Sequence, residues 1–133
     1  MDFGVLKAIR NCLLQSEKAQ ELGVKQVYLS PPKSQDFPII FLEIEEIWTS
    51  MVPLPGNAFA KIKFKASSFS HGEKGKQSLN IATTLRHEID GTIMDLEEGK
   101  KGTSRFINSV IELPHPNRPS SIEQYFDVLV RDV

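Results

Sequence analysis

The sequence predicts an α+β fold in which about five strands form an antiparallel or mixed sheet, with two helices packed on one of its faces. Two segments carry this prediction. In AKIKFKA, apolar or small residues alternate with Lys61, Lys63 and Lys65, which is the period of a strand with one buried face. From Ser78 to about Glu98, apolar residues instead recur every three or four positions, as in an amphipathic helix that covers a sheet. The opposite, lysine-bearing face of the sheet is then left to water.

The remaining segments complete the order α-β-β-β-α-β-β in one domain of 133 residues. Asp2 to about Leu22 shows helical spacing, with Asp2 placed to cap the helix and Gly23 to end it. Four further segments are predicted to be strands because they are rich in β-branched and aromatic residues. They are QVYLS, IIFLEIEEIW, TSRFINSVIEL and IEQYFDVLV.

Opposite charges predict that the second and third strands pair as a hairpin. In IIFLEIEEIW, alternation sends Ile40, Leu42 and Ile44 to one face of the strand and Glu43 and Glu45 to the other. In a hairpin, these glutamates share the outward face with the three lysines of AKIKFKA. Cross-strand pairs of opposite charge stabilise a sheet by roughly 0.2–1 kcal/mol each. This charged face is a candidate interaction surface.

An apolar connection joins the two strands of the hairpin. The segment TSMVPLPGN, Thr49 to Asn57, has two prolines and a glycine, which predict a loop rather than the continuation of a central strand. It carries Met51, Val52 and Leu54, and Trp48 stands at its base. Apolar loops of this kind either pack back onto the core or contact a partner, and both interpretations stay open at this point.

The composition points neither to a strongly charged binding partner nor to export of the protein from the cell. The net charge of -1 gives no general attraction to nucleic acid or to anionic membranes. Cys12 is the only cysteine, which rules out an internal disulfide and favours a reducing cytoplasm. Its apolar neighbours indicate a buried small side chain rather than a nucleophile. We expect neither a signal peptide nor a membrane span, because no run approaches the ~18 apolar residues of a transmembrane helix.

The segment GEKGKQS resembles a phosphate-binding loop in composition, but its spacing is wrong. Gly72, Gly75, Lys76 and Ser78 are two residues too close for the G-x-x-x-x-G-K-S/T pattern, in which loop length sets how backbone N–H groups wrap the phosphates. The preceding strand has a lysine at every second position, unlike the buried parallel strands that precede such loops. We predict a solvated turn that caps the second helix through Ser78, with Lys74 and Lys76 as candidate contact residues.

Neither a metal site nor an active site is evident. His71, His87 and His115 include no pair at i and i+4, and RHEIDG lacks the second histidine of a zinc-binding H-E-x-x-H helix. The adjacent carboxylates Glu45 and Glu46 do not face one another as an acid/base pair would. We therefore expect no cofactor, no metal ion and no enzymatic activity.

The layout of the whole chain resembles the tail completion, or tail terminator, proteins of bacteriophages and prophages, which also occur in gene-transfer-agent clusters. Four segments carry the resemblance, which spans nearly the full chain. They are VLKAIRNCLL, DFPIIFLEI with its Phe-Pro entry, AKIKFKASSFSHGEKGKQSLNIATTLRHEIDG, and SSIEQYFDVLVRD. The family's small-aromatic or Trp-Ser pair is represented here by Phe69 and Ser70, and Trp48 with the MVPLPG segment departs from the family pattern.

The resemblance implies a structural role. Such subunits assemble, commonly as a hexameric ring, at the head-proximal end of the tail tube, where they stop tube polymerisation and help join the tail to the head. The implied partners are other copies of the chain, the tail-tube protein and a head-joining protein. The implied locations are the host cytoplasm during assembly and then the virion tail. Candidate contacts are the charged sheet face, the Thr49 to Asn57 loop and the Ser70 to Gln77 turn.

Two alternatives stay open. One keeps the phage context but places the protein on the head side, as a head–tail connector or neck component. The other is a small enzyme or ligand-binding domain with a pocket between sheet and helices.

Overall fold

A computed structural model describes residues 2–33, 38–70, 75–111 and 120–132. In these ranges, three helices lie against one face of a six-stranded sheet. The helices are α1 (Val5–Leu14), α2 (Glu17–Glu21) and α3 (Gly75–Ile89). The strands are β1 (Val27–Tyr28), β2 (Ile39–Leu54), β3 (Ala58–Ser70), β4 (Ile93–Asp95), β5 (Lys101–Ile111) and β6 (Ser120–Arg131). The α+β class is confirmed, with one strand and one helix more than predicted.

The sheet is mixed, with the spatial order β1-β2-β3-β6-β5-β4. The β1–β2 pair is parallel and the other four pairs are antiparallel. The predicted hairpin of β2 and β3 is confirmed, because Glu43 lies opposite Lys65. A bulge at Glu45 then shifts the register, and Glu46 lies opposite Lys63. The bulge keeps the glutamates and the lysines on the same outward face.

The core lies between the helices and the inner face of the sheet. A row of aromatic rings crosses its middle: Phe64 stacks on Phe126 with ring centroids 5.3 Å apart, and Phe106 meets Phe126 edge-on at 5.5 Å. The alternation in β3 and β6 puts these rings and their neighbours inside, as predicted. Helix residues complete the core from the other side. They are Val5, Ile9 and Leu13 of α1 and Ile81, Leu85 and Ile89 of α3.

The predicted helix from Ser78 to Glu98 is wrong at both ends. The helix begins at Gly75 and ends at Ile89, because Gly91 has φ +77°, a left-handed conformation that stops a helix. The Gly91 N–H then bonds the Ser104 carbonyl oxygen at 2.8 Å, and the following residues form the edge strand β4 instead. Leu79, the first apolar residue of the predicted helix face, is exposed, whereas Ile81 is buried in the core.

The first predicted helix is divided in two. Ser16 stops α1 and caps α2, since its hydroxyl accepts the Ala19 N–H at 3.2 Å. Asp2 is not the cap of α1, because Gly4 occupies that position. The Asp2 carboxylate instead accepts the Gly4 N–H at 2.9 Å.

The predicted loop Thr49 to Asn57 is largely strand. β2 continues to Leu54, and only Pro55–Asn57 forms a short 3-10 turn before β3. Proline is excluded from central strands but tolerated at an edge, where its missing N–H breaks no ladder. In the described chain, β1 pairs with β2 at Ile40 and Phe41 alone, so the second half of β2 is such an edge.

Gly102 provides a test of the packing at the other side of the sheet. A Cβ atom added at this position would lie 2.6 Å from Val128 Cγ1 and 2.9 Å from Leu96 Cδ1. We predict that Gly102→Ala lowers the free energy of unfolding by roughly 1–3 kcal/mol, as overpacking does. Urea unfolding measures the change, and the additional substitution Val128→Ala should make Gly102→Ala much less costly. A Gly102→Ala protein as stable as the parent would contradict this packing.

Candidate functional site

The outward face of the sheet is built of cross-strand rows, each contributing one side chain per strand. The middle row runs Glu46, Lys63, Asp127 and Arg105 across β2, β3, β6 and β5. Directly opposed residues of antiparallel strands share a face, so the four side chains point the same way. The row alternates in charge and ends with an acid at one side of the sheet and a base at the other.

Arg105 and Asp127 form the most regular ion pair of this row. Arg105 Nε and Nη2 each donate to one oxygen of the Asp127 carboxylate at 2.8 Å, a bidentate arrangement. The Asp127 side chain is buried while half of the Arg105 side chain is exposed. The hydrogen bond to Asp127 raises the pKa of Arg105 further, so this cation stays charged. The pair fixes the position of a cation at the β5 side of the sheet.

Lys65 lies at the centre of a second group of charges. Its Nζ is 2.7 Å from Glu43, 3.7 Å from Glu45 and 3.9 Å from Glu123. The hydrogen bond to Glu43 raises the pKa of Lys65, the three carboxylates add to the rise, and burial opposes it. Three acids around one lysine leave this part of the face with an excess of negative charge.

The other two lysines of β3 lie over aromatic rings. Lys61 Nζ is 5.1 Å from the centroid of the Trp48 ring, and Lys63 Nζ is 5.4 Å from that of Tyr125. A cation at this distance is attracted by the ring quadrupole. Trp48 is thus held on the outward face of β2 with 42% of its surface still exposed.

A shallow groove of about 570 Å³ lies on this face between the charged rows. It is lined by Glu46, Lys61, Lys63, Arg105, Phe106, Ile107 and Asp127. Positive and negative groups alternate along it, so it presents no single charge to a small ion. Its chemistry suits a protein surface of mixed charge.

The hairpin end carries exposed apolar residues. Between the Thr49–Ala60 and Leu54–Ala58 pairs the register is broken, with four residues of β2 against one of β3. Met51 is fully exposed and Val52 is 72% exposed, while Leu54 is partly covered. The apolar segment therefore does not pack back onto the core. Exposed side chains of this size are typical of contact surfaces.

The predicted interaction residues fall into two groups. The structure brings together Glu43, Glu45, Trp48, Lys61, Lys63 and Lys65 on the outward face, with Met51, Val52 and Leu54 at its hairpin end. Lys74 lies outside the described residues, and of Lys76 only the backbone, in the first turn of α3, is described. Their role as contacts stays a prediction.

The predicted cap at Ser78 is wrong. α3 already begins at Gly75, and the Ser78 hydroxyl forms a hydrogen bond with the hydroxyl of Ser70 in β3. Ser78 therefore ties the first turn of the helix to the sheet.

Several residues of this face escaped the sequence prediction. Asp127, Arg105 and Glu123 enter it because β6 lies between β3 and β5. The alternation of IEQYFDVLV places Asp127 on a polar face, but a pattern within one strand does not reveal which strand lies beside it. Glu46 enters because of the bulge at Glu45, which the alternation also does not predict.

The other candidate groups that lie in the described part of the chain form no reactive centre. Burial raises the pKa of the Cys12 thiol, with Glu88 adding to the rise, so the nucleophilic thiolate is disfavoured. His87 is exposed on α3, and His71 and His115 lie outside the described residues. In residues 2–33, 38–70, 75–111 and 120–132, no three acidic, histidine or cysteine side chains are grouped to hold a metal ion. None of the helices in those ranges is long and apolar enough to span a bilayer.

The fold is shared with a chain of a phage-like particle. Superposition on a chain from the solved virion of a native gene transfer agent (GTA) particle gives a TM-score of 0.72 at 13% sequence identity. The similarity covers 93% of this chain and 92% of the other. No protein-family model matches the sequence. A search of curated proteins likewise gives no match.

The lysine cluster predicts a pH-dependent contribution to stability. Because the folded state raises the pKa of Lys65 above its ordinary 10.5, its ion pairs with ionised glutamates stabilise the fold fully from neutral pH up to about pH 10.5 and progressively less above it. Lys65→Met should lower the free energy of unfolding at pH 7 by about 1 kcal/mol, the scale of partly exposed ion pairs. The difference from the parent should stay constant up to pH 9 and shrink beyond pH 10.5.

Chemical unfolding at a series of pH values measures this difference. The control is Lys25→Met, at an exposed position, which should change stability little at any pH. A Lys65→Met effect that is independent of pH up to the alkaline limit would exclude the ion pairs as its cause.

Proposed function

We propose that the protein is a structural component of a phage-derived particle, and specifically a tail completion protein. In this role, copies assemble as a ring, commonly a hexamer, at the head-proximal end of the tail tube. The ring stops tube polymerisation and offers a surface for joining the head. No catalysis is required of it.

One observation carries this proposal: the fold is that of a GTA virion chain over nearly the whole length of both chains. The identity of 13% makes this a likeness of fold, and the virion context is a property of that other particle. The sequence layout separately resembles tail completion proteins. The proposal rests on these two likenesses pointing to the same kind of particle.

The surface supports an assembly role. Mixed charges cover the outward face, and an apolar hairpin end projects from it. Protein contact surfaces combine such polar areas with a few exposed apolar anchors. A ring subunit needs these features and an ordinary core, and it needs no reactive group.

A second candidate keeps the particle but places the ring in the neck, as a head–tail connector. The same likenesses favour it, because the matching structure is a whole virion. A third candidate, a ligand-binding domain, is favoured by the groove between the charged rows.

The assembly prediction is tested in solution. With increasing concentration, or on addition of the tail-tube protein, light scattering should show a species several times the 15.0 kDa mass of the chain, six times for a hexamer. Added to polymerising tail-tube protein, the chain should shorten the tubes in proportion to its amount. A neck component should instead leave tube length unchanged. A strict monomer under all these conditions would contradict any ring.

The ligand-binding alternative makes the opposite prediction for thermal unfolding. A true ligand at 100 times its Kd stabilises a fold by about 2.7 kcal/mol, which is a clear shift in Tm. We expect no shift with nucleotides or with divalent metal ions. A reproducible, saturable shift that is lost in Lys63→Ala would favour a ligand site in the groove over the assembly role.

A further inference from the structure

Two sides of the sheet present strand edges, and these edges differ. On one side, within the described chain, β2 from Leu42 onward has β3 as its sole neighbour. On the other side, in the same described ranges, β4 pairs with β5 at Lys101–Thr103, Gly91 and Thr92 bond the backbone of Ser104, and no strand lies beyond β4. Unpaired edge strands are templates for pairing with another chain.

The two edges are complementary in charge along the middle row. At the β2 side, Glu46 is exposed, and none of the described ion pairs includes it. At the opposite side, the row ends in Arg105, whose Nε and Nη2 bond Asp127. A guanidinium has five N–H donors, so donors remain for an acceptor beyond the edge.

The next row is complementary in a different way. It runs Trp48, Lys61, Leu129, Thr103 and Ile93 from one edge to the other. Both of its ends are apolar and exposed: Trp48 by 42% and Ile93 by 63%. Two neighbouring rows thus match end to end, acid to base and apolar to apolar.

The spacing of a continued sheet fits this match. If β2 of a second copy lies beside β4 at the level of Ile93, it brings Trp48 next to Ile93 at about one strand spacing, ~4.8 Å. One row further, β4 is replaced by Asp90, whose carboxylate accepts the Phe106 N–H at 2.9 Å, and Glu46 and Arg105 are separated by about two spacings, ~10 Å between backbones. The Arg105 guanidinium is held toward Asp127, so the Glu46 carboxylate faces it across this gap.

We propose that copies of this chain contact one another head to tail through these edges, with Trp48 of one copy against Ile93 of the next and Glu46 of one facing Arg105 of the next. The inference rests on the proposed ring and names the surfaces that build it. The contact joins two different patches, so each of two joined copies keeps one patch free for a further neighbour. The series ends when a ring closes.

Cysteine crosslinking tests the contact. In a Cys12→Ala background, the double variant Trp48→Cys, Ile93→Cys should give a ladder of covalent oligomers up to the ring size under mild oxidation. The ladder should exceed that of a Trp48→Cys, Leu79→Cys control by more than about tenfold, because thiols held together in an assembly reach millimolar effective concentration. Leu79 is equally exposed but lies on α3, on the helix side of the sheet.

Mixing separates this geometry from a symmetric one. Equal amounts of the single variants Trp48→Cys and Ile93→Cys should give mixed dimers and nothing larger, and either variant alone should give no crosslink. Dimers from Trp48→Cys alone would indicate a symmetric contact and overturn the proposal. A second pair, Ser50→Cys with Asp95→Cys, lies two residues further along the same two strands, leaves Trp48 and Ile93 in place and should give the same ladder.

Light scattering of the same samples before oxidation separates the proposed ring from the proposed edge contact. A ring without the ladder in both double variants would overturn the edge contact and leave the ring intact. A monomer at every concentration and with tail-tube protein would overturn the ring and the contact together.

Discussion

The alternation in β3 is the constraint on which the rest of the structure depends. β3 lies between β2 and β6, with Phe64 stacked on Phe126 inside and Lys63 and Lys65 outside. A shift of one residue would bury the lysines and expose the aromatic ring, which no neighbouring strand can compensate. The register of the central strands is therefore fixed by β3, and the registers of β2 and β6 follow from it.

The charged face is a consequence of that register. Once the lysines point outward, Glu43 and Glu45 of β2 and Glu123 of β6 lie 2.7–3.9 Å from Lys65 Nζ, and Asp127 of β6 pairs with Arg105 instead. The bulge at Glu45 adds a third carboxylate beside Lys65 without moving the inner face out of the core. The bulge thereby lets β2 keep its inner face in the core and its outer face in the group of charges around Lys65.

The sequence predicted best where a single segment contains its own signal. The alternation of β3, its pairing with β2 and the strand character of β5 and β6 all lie in local patterns, and the structure confirms them. The end of α3 was missed because Ile93 and Leu96 continue the helical spacing past Gly91, whose left-handed conformation depends on its bond to Ser104. The length of β2 was missed because prolines exclude a central strand, and only the strand order shows that this part is an edge.

Local sequence patterns also could not show which side chains meet on the charged face, because that depends on the order of the strands in the sheet. No single segment of the sequence predicts that β6 lies beside β3 or that Arg105 pairs with Asp127. Long-range pairing of this kind is a property of the whole chain. The residues that end each row, and so define the edges, depend on it most.

The charges at the edges also select among the ways in which copies can meet. Pairing of β2 with β2 of a second copy would set Glu43, Glu45 and Glu46 of each copy against those of the other, and like charges opposed across strands destabilise a sheet. The β4–β5 side offers Arg105 and Ile93 in place of that repulsion. Edge-to-edge contact is thus disfavoured in its symmetric form and favoured in its head-to-tail form. If copies join head to tail, the contact repeats until it closes as a ring or extends as an open filament, whereas a symmetric contact stops at a dimer.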